Sequence, residues 1–268
     1  MVQRHRYQYG ADPSQWGELF LPELPAGGKH EGVVVVVHGG YWRSRYGAEL
    51  GEPLAKDLAE HGMAAWNLEY RRAGNGGGWP GTFQDVLGGI DRLAGLAEPH
   101  ALDLGKVVAL GHSAGGHLAA TLSTAVGTGN PALDRAGAVP DLSVLCYPVA
   151  SMTHETHQGS VENLLGAAPP SNLLSALSAE LNVTDRTPPA FLWHTADDQA
   201  VPVSNSLNYA AALFAAGVPA ELHVFPRGRH GLGLAADEPG PCQWTALCAA
   251  WLERAGWTNA PVEADAAS

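Results

Sequence analysis

The chain has 268 residues, of which 46% are hydrophobic and 16% are charged, a composition that excludes wholesale disorder. Its 15 basic residues stand against 27 acidic ones, so the formal net charge at pH 7 is −12. Because this charge repels nucleic-acid phosphates and anionic lipid headgroups, it argues against nucleic-acid and membrane partners.

The three cysteines, Cys146, Cys242 and Cys248, have neither CxxC spacing nor flanking histidines in a zinc-site pattern. This argues against a disulfide framework and against a structural zinc site. No segment resembles a signal peptide or a membrane-spanning helix, since the longest valine run is Val33–Val37. We therefore expect a cytoplasmic protein, whose oligomeric state the sequence leaves open.

Short apolar runs alternate along the chain with longer segments of helical periodicity, which predicts β-α units around a mostly parallel sheet. The predicted strands are Glu18–Leu21, as an antiparallel edge strand, then Val33–Val37, Met63–Leu68, Val107–Leu110, Val144–Tyr147, Ala190–His194 and Glu221–Phe225. The predicted helices are Glu49–His61, Phe83–Ala97, Ala114–Val126, Ser204–Ala216 and Gln243–Ala255. Four of them precede a glycine, at Gly62, Gly127, Gly217 and Gly256, which indicates left-handed helix ends.

Two stretches interrupt this alternation. The glycine-rich segment Gly74–Gly81 predicts a loop, either flexible or placed where backbone approaches something closely. The stretch from Pro148 to Pro189 holds only short helical pieces, as functional lids and binding loops do. We expect one domain over residues 1–257, with a lid-like insertion at 148–189 and a disordered tail at 258–268.

The segment Gly111-His112-Ser113-Ala114-Gly115 matches the pattern G-x-S-x-G. In that pattern, small residues allow a sharp turn from strand to helix that exposes a nucleophilic serine. The pattern alone is weak evidence, but here a buried strand precedes it and a helix rich in small residues follows it. The context favours Ser113 as a nucleophile over an idle serine in a helix cap.

A serine hydroxyl needs a general base to remove its proton and a carboxylate to hold that base. Asp197 and Asp198 both follow a predicted strand that ends at the same sheet edge as Ser113. We choose Asp198, because the Val201-Pro202 pair after it matches the helix entry that commonly follows the acid in such enzymes. Asp197 is then a turn residue.

Two histidines are candidates for the base. His223 alternates within a predicted strand, so its side chain is fixed to one face of the sheet, whereas His230 lies on a loop beyond that strand. A loop position lets an imidazole reach over the sheet edge. We choose His230, with a solvated loop histidine as the alternative.

The segment from His38 to Arg43 directly follows the valine strand. Acyl transfer builds negative charge on a carbonyl oxygen, which backbone N–H groups of such a loop can stabilise. We assign the oxyanion donors to Gly40, Tyr41 and Ala114, against the alternative of a simple turn. Trp42 is a candidate for substrate binding, as are three further tryptophans, for all of which packing is the alternative: Trp66, Trp79 and Trp193.

The order Ser113, Asp198, His230, with the His38-Gly39-Gly40 loop upstream, resembles the α/β-hydrolase fold over residues 16 to 256. The His-Gly-Gly-Tyr-Trp segment is similar to that of kynurenine formamidase-like hydrolases. The second half is similar instead to bacterial acetyl and carbohydrate esterases, including acetylxylan and feruloyl esterases; the motifs are Tyr147-Pro148-Val149, residues 163–166, 194–198 and 228–234. Tyr41 departs from the H-G-G-G of hormone-sensitive-lipase-like esterases.

The resemblance implies a mostly parallel sheet with helices on both faces, and a serine carboxylesterase that acts on small short-acyl esters without a cofactor or metal. Two alternatives stay open. An arylformamidase would cleave an N-formyl amide with the same residues in the same roles. A binding protein of this fold would hold a ligand without turnover.

Overall fold

The computed structural model describes residues 2–125, 133 and 140–257, and its centre is one sheet of eight strands. In chain order the strands are β1 (Gln3–Gln8), β2 (Trp16–Leu21), β3 (Val33–Val37), β4 (Ala64–Leu68), β5 (Val107–His112), β6 (Leu142–Cys146), β7 (Ala190–Thr195) and β8 (Ala220–Phe225). Across the sheet the order is β1-β2-β4-β3-β5-β6-β7-β8. Strand β2 pairs antiparallel with β1 and β4, and the remaining pairs are parallel.

Helices cover both faces of this sheet, as predicted. The α-helices of the described residues are α1 (Glu52–Glu60), α2 (Gly81–Arg92), α3 (Ala114–Thr124), α4 (Gln158–Leu165), α5 (Ser171–Ala176), α6 (Ser204–Ala215) and α7 (Trp244–Arg254). Short 3₁₀ turns lie at Ala48–Leu50, Leu93–Gly95, Ala179–Leu181 and Pro241–Gln243. Within the described ranges, no helix is long and apolar enough to cross a bilayer.

The run of five valines in β3 shows why the sheet is covered on both sides. Val33, Val35 and Val37 pack in the cluster formed with α2 and α3, whereas Val34 and Val36 pack in the cluster formed with α1 and α7. Side chains alternate between the faces of a strand, and a parallel strand covered by helices needs apolar residues on both.

The element boundaries differ from the predicted ones in a few places. Strand β1 was not predicted because its sequence is polar; it lies at the sheet edge, where alternate residues stay exposed. Helix α2 begins at Gly81, so the last residue of the glycine-rich segment is helical. Gly62, Gly217 and Gly256 have φ of 86°, 74° and 86°, which confirms three left-handed helix ends. The predicted features at 126–127 and 258–268 lie outside the described residues.

The chain reverses its direction of winding at β3. This strand pairs with β4 on one side and with β5 on the other, and Val37 lies opposite Gly111. Connections that leave neighbouring strands toward opposite sides open a crevice at the carboxyl ends of those strands. The segment after β3 and the serine after β5 meet at this crevice.

Candidate active site

Ser113 lies at the sharp turn between β5 and α3, with φ 56° and ψ −119°. A positive φ is rare in residues other than glycine and marks a constrained position. The turn closes because its neighbours lack a Cβ. One added to Gly111 would lie 2.2 Å from the Gly115 carbonyl oxygen, and one added to Gly115 would lie 2.0 Å from the Val37 carbonyl oxygen.

His230 lies in the loop after β8, and its Nε2 atom is 2.7 Å from the Oγ atom of Ser113. Gly228 and Gly231, with φ of 152° and 75°, let this loop turn back over the sheet edge. The other candidate, His223, stays on β8, where its Nε2 atom lies 2.8 Å from the carboxylate of a glutamate on the same strand. The structure brings His230 to the serine and leaves His223 on the strand.

Asp198 holds the other nitrogen of that imidazole, with its Oδ2 atom 2.6 Å from Nδ1 of His230. Its Oδ1 atom accepts hydrogen bonds from the backbone N–H groups of Ala200 and Val201, at 2.8 and 3.0 Å. Burial alone would raise the pKa of this carboxyl, but hydrogen bonds from His194 and His230 outweigh burial and hold the pKa well below its usual range. Asp198 therefore stays ionised beside the imidazole.

Asp197 has a different position from its neighbour. Its side chain is exposed, and its Oδ1 atom accepts the backbone N–H of Gly228 at 2.7 Å. The contact fixes the start of the loop that carries His230. The structure thus places Asp197 against the backbone of the loop and Asp198 against the imidazole.

His194, which the sequence patterns did not indicate as a functional residue, lies fully buried on β7 behind Asp198. Its Nε2 atom is 2.9 Å from the carbonyl oxygen of Val201 and 3.5 Å from Oδ2 of Asp198. A carbonyl only accepts, so Nε2 donates to Val201, and Nδ1 lies 2.8 Å from the Ser206 hydroxyl oxygen. His194 therefore fixes the turn that presents Asp198. The motif from His194 to Asp198 was visible in the sequence, but only the fold shows this contact.

The loop after β3 approaches Ser113 through its glycines. A Cβ on Gly39 would lie 2.7 Å from the His112 carbonyl oxygen and 3.0 Å from the Cβ of Ser113, so this close packing requires glycine. Gly40 and Tyr41 follow, with φ of 110° and 56°, and both line the cavity at the serine. Ala114 is the first residue of α3, where a backbone N–H has no partner within the helix. The structure brings these three predicted donors to one place.

The prediction that Trp42 binds substrate is wrong, because its side chain does not line this cavity. The indole is completely buried and packs edge-on against His117, with 5.3 Å between ring centroids. Both Tyr41 and Trp42 have positive φ, and the loop turns Tyr41 toward the cavity and Trp42 into the core. Trp66 and Trp193 are also fully buried, so packing is their role.

The cavity at Ser113 has a volume of about 260 Å³ and is lined by Tyr41, Tyr46, Leu50, His112, Tyr147 and Arg229, among others. Tyr147, for which the sequence predicts no role, packs edge-on against His230, with 5.1 Å between ring centroids. Its hydroxyl oxygen accepts the backbone N–H of Gly233 at 2.9 Å. Tyr147 thereby holds the loop on the far side of the histidine.

A buried polar cluster lies beneath the loop after β3. Burial and the nearby Arg72 lower the pKa of His38 to about 3, so this histidine is neutral. Its Nδ1 atom is 2.7 Å from the Gly39 carbonyl oxygen and must donate there, which leaves Nε2 to accept from Arg72 at 3.2 Å. Arg72 also pairs with Glu69, and the Tyr70 hydroxyl donates to the His38 carbonyl at 2.6 Å. The cluster fixes the base of the loop.

Comparison with known proteins gives relatives that are named for a xylanase and for an esterase. The chain is 33% identical over 235 residues to endo-1,4-beta-xylanase B of Butyrivibrio fibrisolvens, which covers 86% of this chain and 36% of that protein. It is 32% identical over 219 residues to an acetylxylan esterase of Xylanibacter ruminicola, which covers 80% of this chain and 43% of the relative. The chain thus spans between a third and a half of the length of these curated relatives.

Solved structures share the fold over most of their length. An acetyl ester-xyloside bifunctional hydrolase from Caldicellulosiruptor lactoaceticus superposes with a TM-score of 0.79 and 38% identity, covering 90% of this chain and 89% of that one. The carboxylesterase Cest-2923 from Lactobacillus plantarum gives a TM-score of 0.79 at 25% identity, covering 96% and 98%. These similarities confirm the predicted α/β-hydrolase fold. The profile of the BD-FAE family matches residues 19–213, and the chain belongs to this family.

Proposed function

We propose that this chain is a serine carboxylesterase that hydrolyses small, short-acyl esters through an acyl-enzyme. The observation that carries the proposal is the pair of hydrogen bonds from Ser113 Oγ to His230 Nε2, 2.7 Å, and from His230 Nδ1 to Asp198 Oδ2, 2.6 Å. A serine, an imidazole and a buried carboxylate in this geometry form the apparatus of nucleophilic acyl transfer.

The mechanism follows from what each group can do. Ser113 attacks the ester carbonyl while His230 takes the hydroxyl proton, and Asp198 stabilises the imidazolium that forms. The N–H groups of Gly40, Tyr41 and Ala114 donate to the developing oxyanion. His230 returns the proton to the departing alcohol. Water, activated by the same imidazole, then releases the acid, so the cycle needs no cofactor.

The short-acyl preference is supported by how the insertion packs. Leu164 is buried in the core, and Leu165, Leu173 and Leu174 pack against that core. Leu165, Leu173 and Leu174 are partly buried, so the packed side of each is occupied by the core, and the cavity at Ser113 is small, about 260 Å³. Two relatives are named for xylan chemistry, and this supports acetyl groups on a carbohydrate as the substrate class.

We also propose that the protein acts in a reducing compartment such as the cytoplasm. All three cysteines, Cys146, Cys242 and Cys248, are unpaired, as thiols are in such compartments.

Steady-state hydrolysis of p-nitrophenyl acetate and of acetylated xylo-oligosaccharides tests the proposal, with N-formylkynurenine as the competing substrate. We expect ester turnover that the Ser113→Ala variant loses while it remains folded. Near wild-type ester turnover by that variant would refute the mechanism. A formamide hydrolysed far faster than any ester would assign the chain to the arylformamidases, and binding of esters without turnover would indicate a binding protein.

A further inference from the structure

Three successive residues of the loop after β3 have positive φ: Gly40 at 110°, Tyr41 at 56° and Trp42 at 52°. Only glycine tolerates this conformation freely, so two of the three residues need contacts that hold them. Backbone N–H groups hold the carbonyls of the first and the third residue. The Gly40 carbonyl accepts the N–H of Arg43 at 3.0 Å, and the Trp42 carbonyl accepts the N–H of Ala73 at 2.9 Å.

The contact at the residue between them is made by a side chain. The Nδ2 atom of Asn163, on α4, donates to the Tyr41 carbonyl oxygen at 2.9 Å. Among the described residues, this is the one side-chain hydrogen bond to the three carbonyls of residues 40–42. This hydrogen bond ties the loop to a helix of the insertion at 148–189. Asn163 lies 122 residues after Tyr41 in the chain.

Helix α4 is itself held firmly. Its residues Val161 and Leu164 are buried in the core. The Leu164 carbonyl accepts the backbone N–H of Trp79 at 2.7 Å, so the glycine-rich segment braces this helix. At the other end, His157 caps α4 through Ser160, and its ring lies 5.5 Å from that of Tyr41. Asn163 is therefore a fixed anchor for the loop.

We propose that Asn163 is a positioning residue, which holds Tyr41 in the positive-φ conformation that aims its N–H at the substrate oxyanion. This inference rests on the proposed function. Without the amide, Tyr41 can relax to negative φ, and this rotation turns the N–H away from the site. In the intact protein, the insertion at 148–189 thus supports the loop after β3, and the glycine-rich segment supports the insertion.

The test compares Asn163→Ala with a matched control, Asn182→Ala. The Asn182 amide also donates to carbonyls of the insertion, those of Ser175 and Ser178 at 2.9 and 2.7 Å, but these carbonyls lie outside the loop after β3. For p-nitrophenyl acetate we expect Asn163→Ala to lower kcat by about 10- to 100-fold with KM within about twofold, because a misaimed oxyanion donor acts in the transition state. Asn182→Ala should leave kcat close to wild type.

A second readout separates positioning from general damage. The Ki of a trifluoromethyl ketone, whose adduct with Ser113 places an oxyanion at the same donors, should rise in Asn163→Ala by the factor that kcat falls. The isosteric Asn163→Asp, which cannot donate at neutral pH, should behave like the alanine variant and decides the question if Asn163→Ala does not fold. Equal kcat and Ki in the Asn163 and Asn182 variants would overturn the inference. Activity that survives Ser113→Ala would instead overturn the proposed function.

Discussion

Asp197 and Asp198 are adjacent in sequence but hold different parts of the loop that carries His230. Asp198 accepts from the imidazole at 2.6 Å, whereas Asp197 accepts the backbone N–H of Gly228 at 2.7 Å. One carboxylate therefore orients the imidazole, and the other fixes the loop backbone two residues before it.

This division predicts unequal effects of two matched substitutions. Asp198→Asn removes the negative charge beside the imidazolium and disturbs its orientation, so kcat should fall by about 10⁴-fold. Asp197→Asn keeps an oxygen that accepts from Gly228, so its loss should be at least about tenfold smaller. Steady-state kinetics of the two variants, with urea unfolding as the control for folding, checks this ranking. A reversed order would refute the assignment of Asp198.

The lowered pKa values of buried histidines determine how the free energy of unfolding depends on pH. Burial lowers the pKa of His117 to about 4, from about 6.5 in the unfolded chain. Protons then bind the unfolded chain more tightly than the folded one. The contribution of His117 to the free energy of unfolding is therefore fully present above pH 6.5 and is lost as the pH falls toward 4, by about 1.4 kcal/mol per pH unit. Burial acts in the same direction on His38 and His112, whose pKa values it lowers to about 3.

The measurement is the midpoint of urea unfolding between pH 7.5 and pH 5. His117→Gln retains an amide that can donate to the Leu177 carbonyl, the partner of His117 at 2.8 Å. This variant should lose less stability over the interval than the parent chain does. Identical pH slopes in the two proteins would contradict the shift at His117.

The small cavity at Ser113, and the packing of the insertion leucines against the core, predict a preference for short acyl chains. A groove that sheltered a long acyl chain would gain about 0.8 kcal/mol for each buried methylene, and kcat/KM would rise steeply with length. We expect acetate and butyrate esters to be hydrolysed with higher kcat/KM than the octanoate. An optimum at p-nitrophenyl octanoate would refute the short-acyl proposal.

The parts of the fold that depend on local pattern could be predicted from the sequence. The β3 valines, the glycines at 111 and 115 and the serine between them follow rules of strand burial and turn sterics, and the structure places them accordingly. Strand β1 could not be predicted, because its polar residues form a strand only by pairing with β2 at the sheet edge.

The supporting contacts of the site depend on tertiary structure. The His-Gly-Gly-Tyr-Trp motif does not reveal that the backbone turns at Tyr41 and Trp42, which sends one ring to the cavity and the other into the core. Asn163 and Tyr147 act on segments far away in sequence, at Tyr41 and at Gly233. Their contacts exist only once the insertion and the loop after β8 have packed.

Covalent labelling with a fluorophosphonate shows whether Ser113 is the nucleophile. The reagent requires a serine that an adjacent base activates, and mass spectrometry of the digested protein locates the adduct. We predict one adduct, on Ser113, formed in step with the loss of ester hydrolysis. Label on Ser204 or Ser206, or full hydrolysis by protein labelled at Ser113, would contradict the claim.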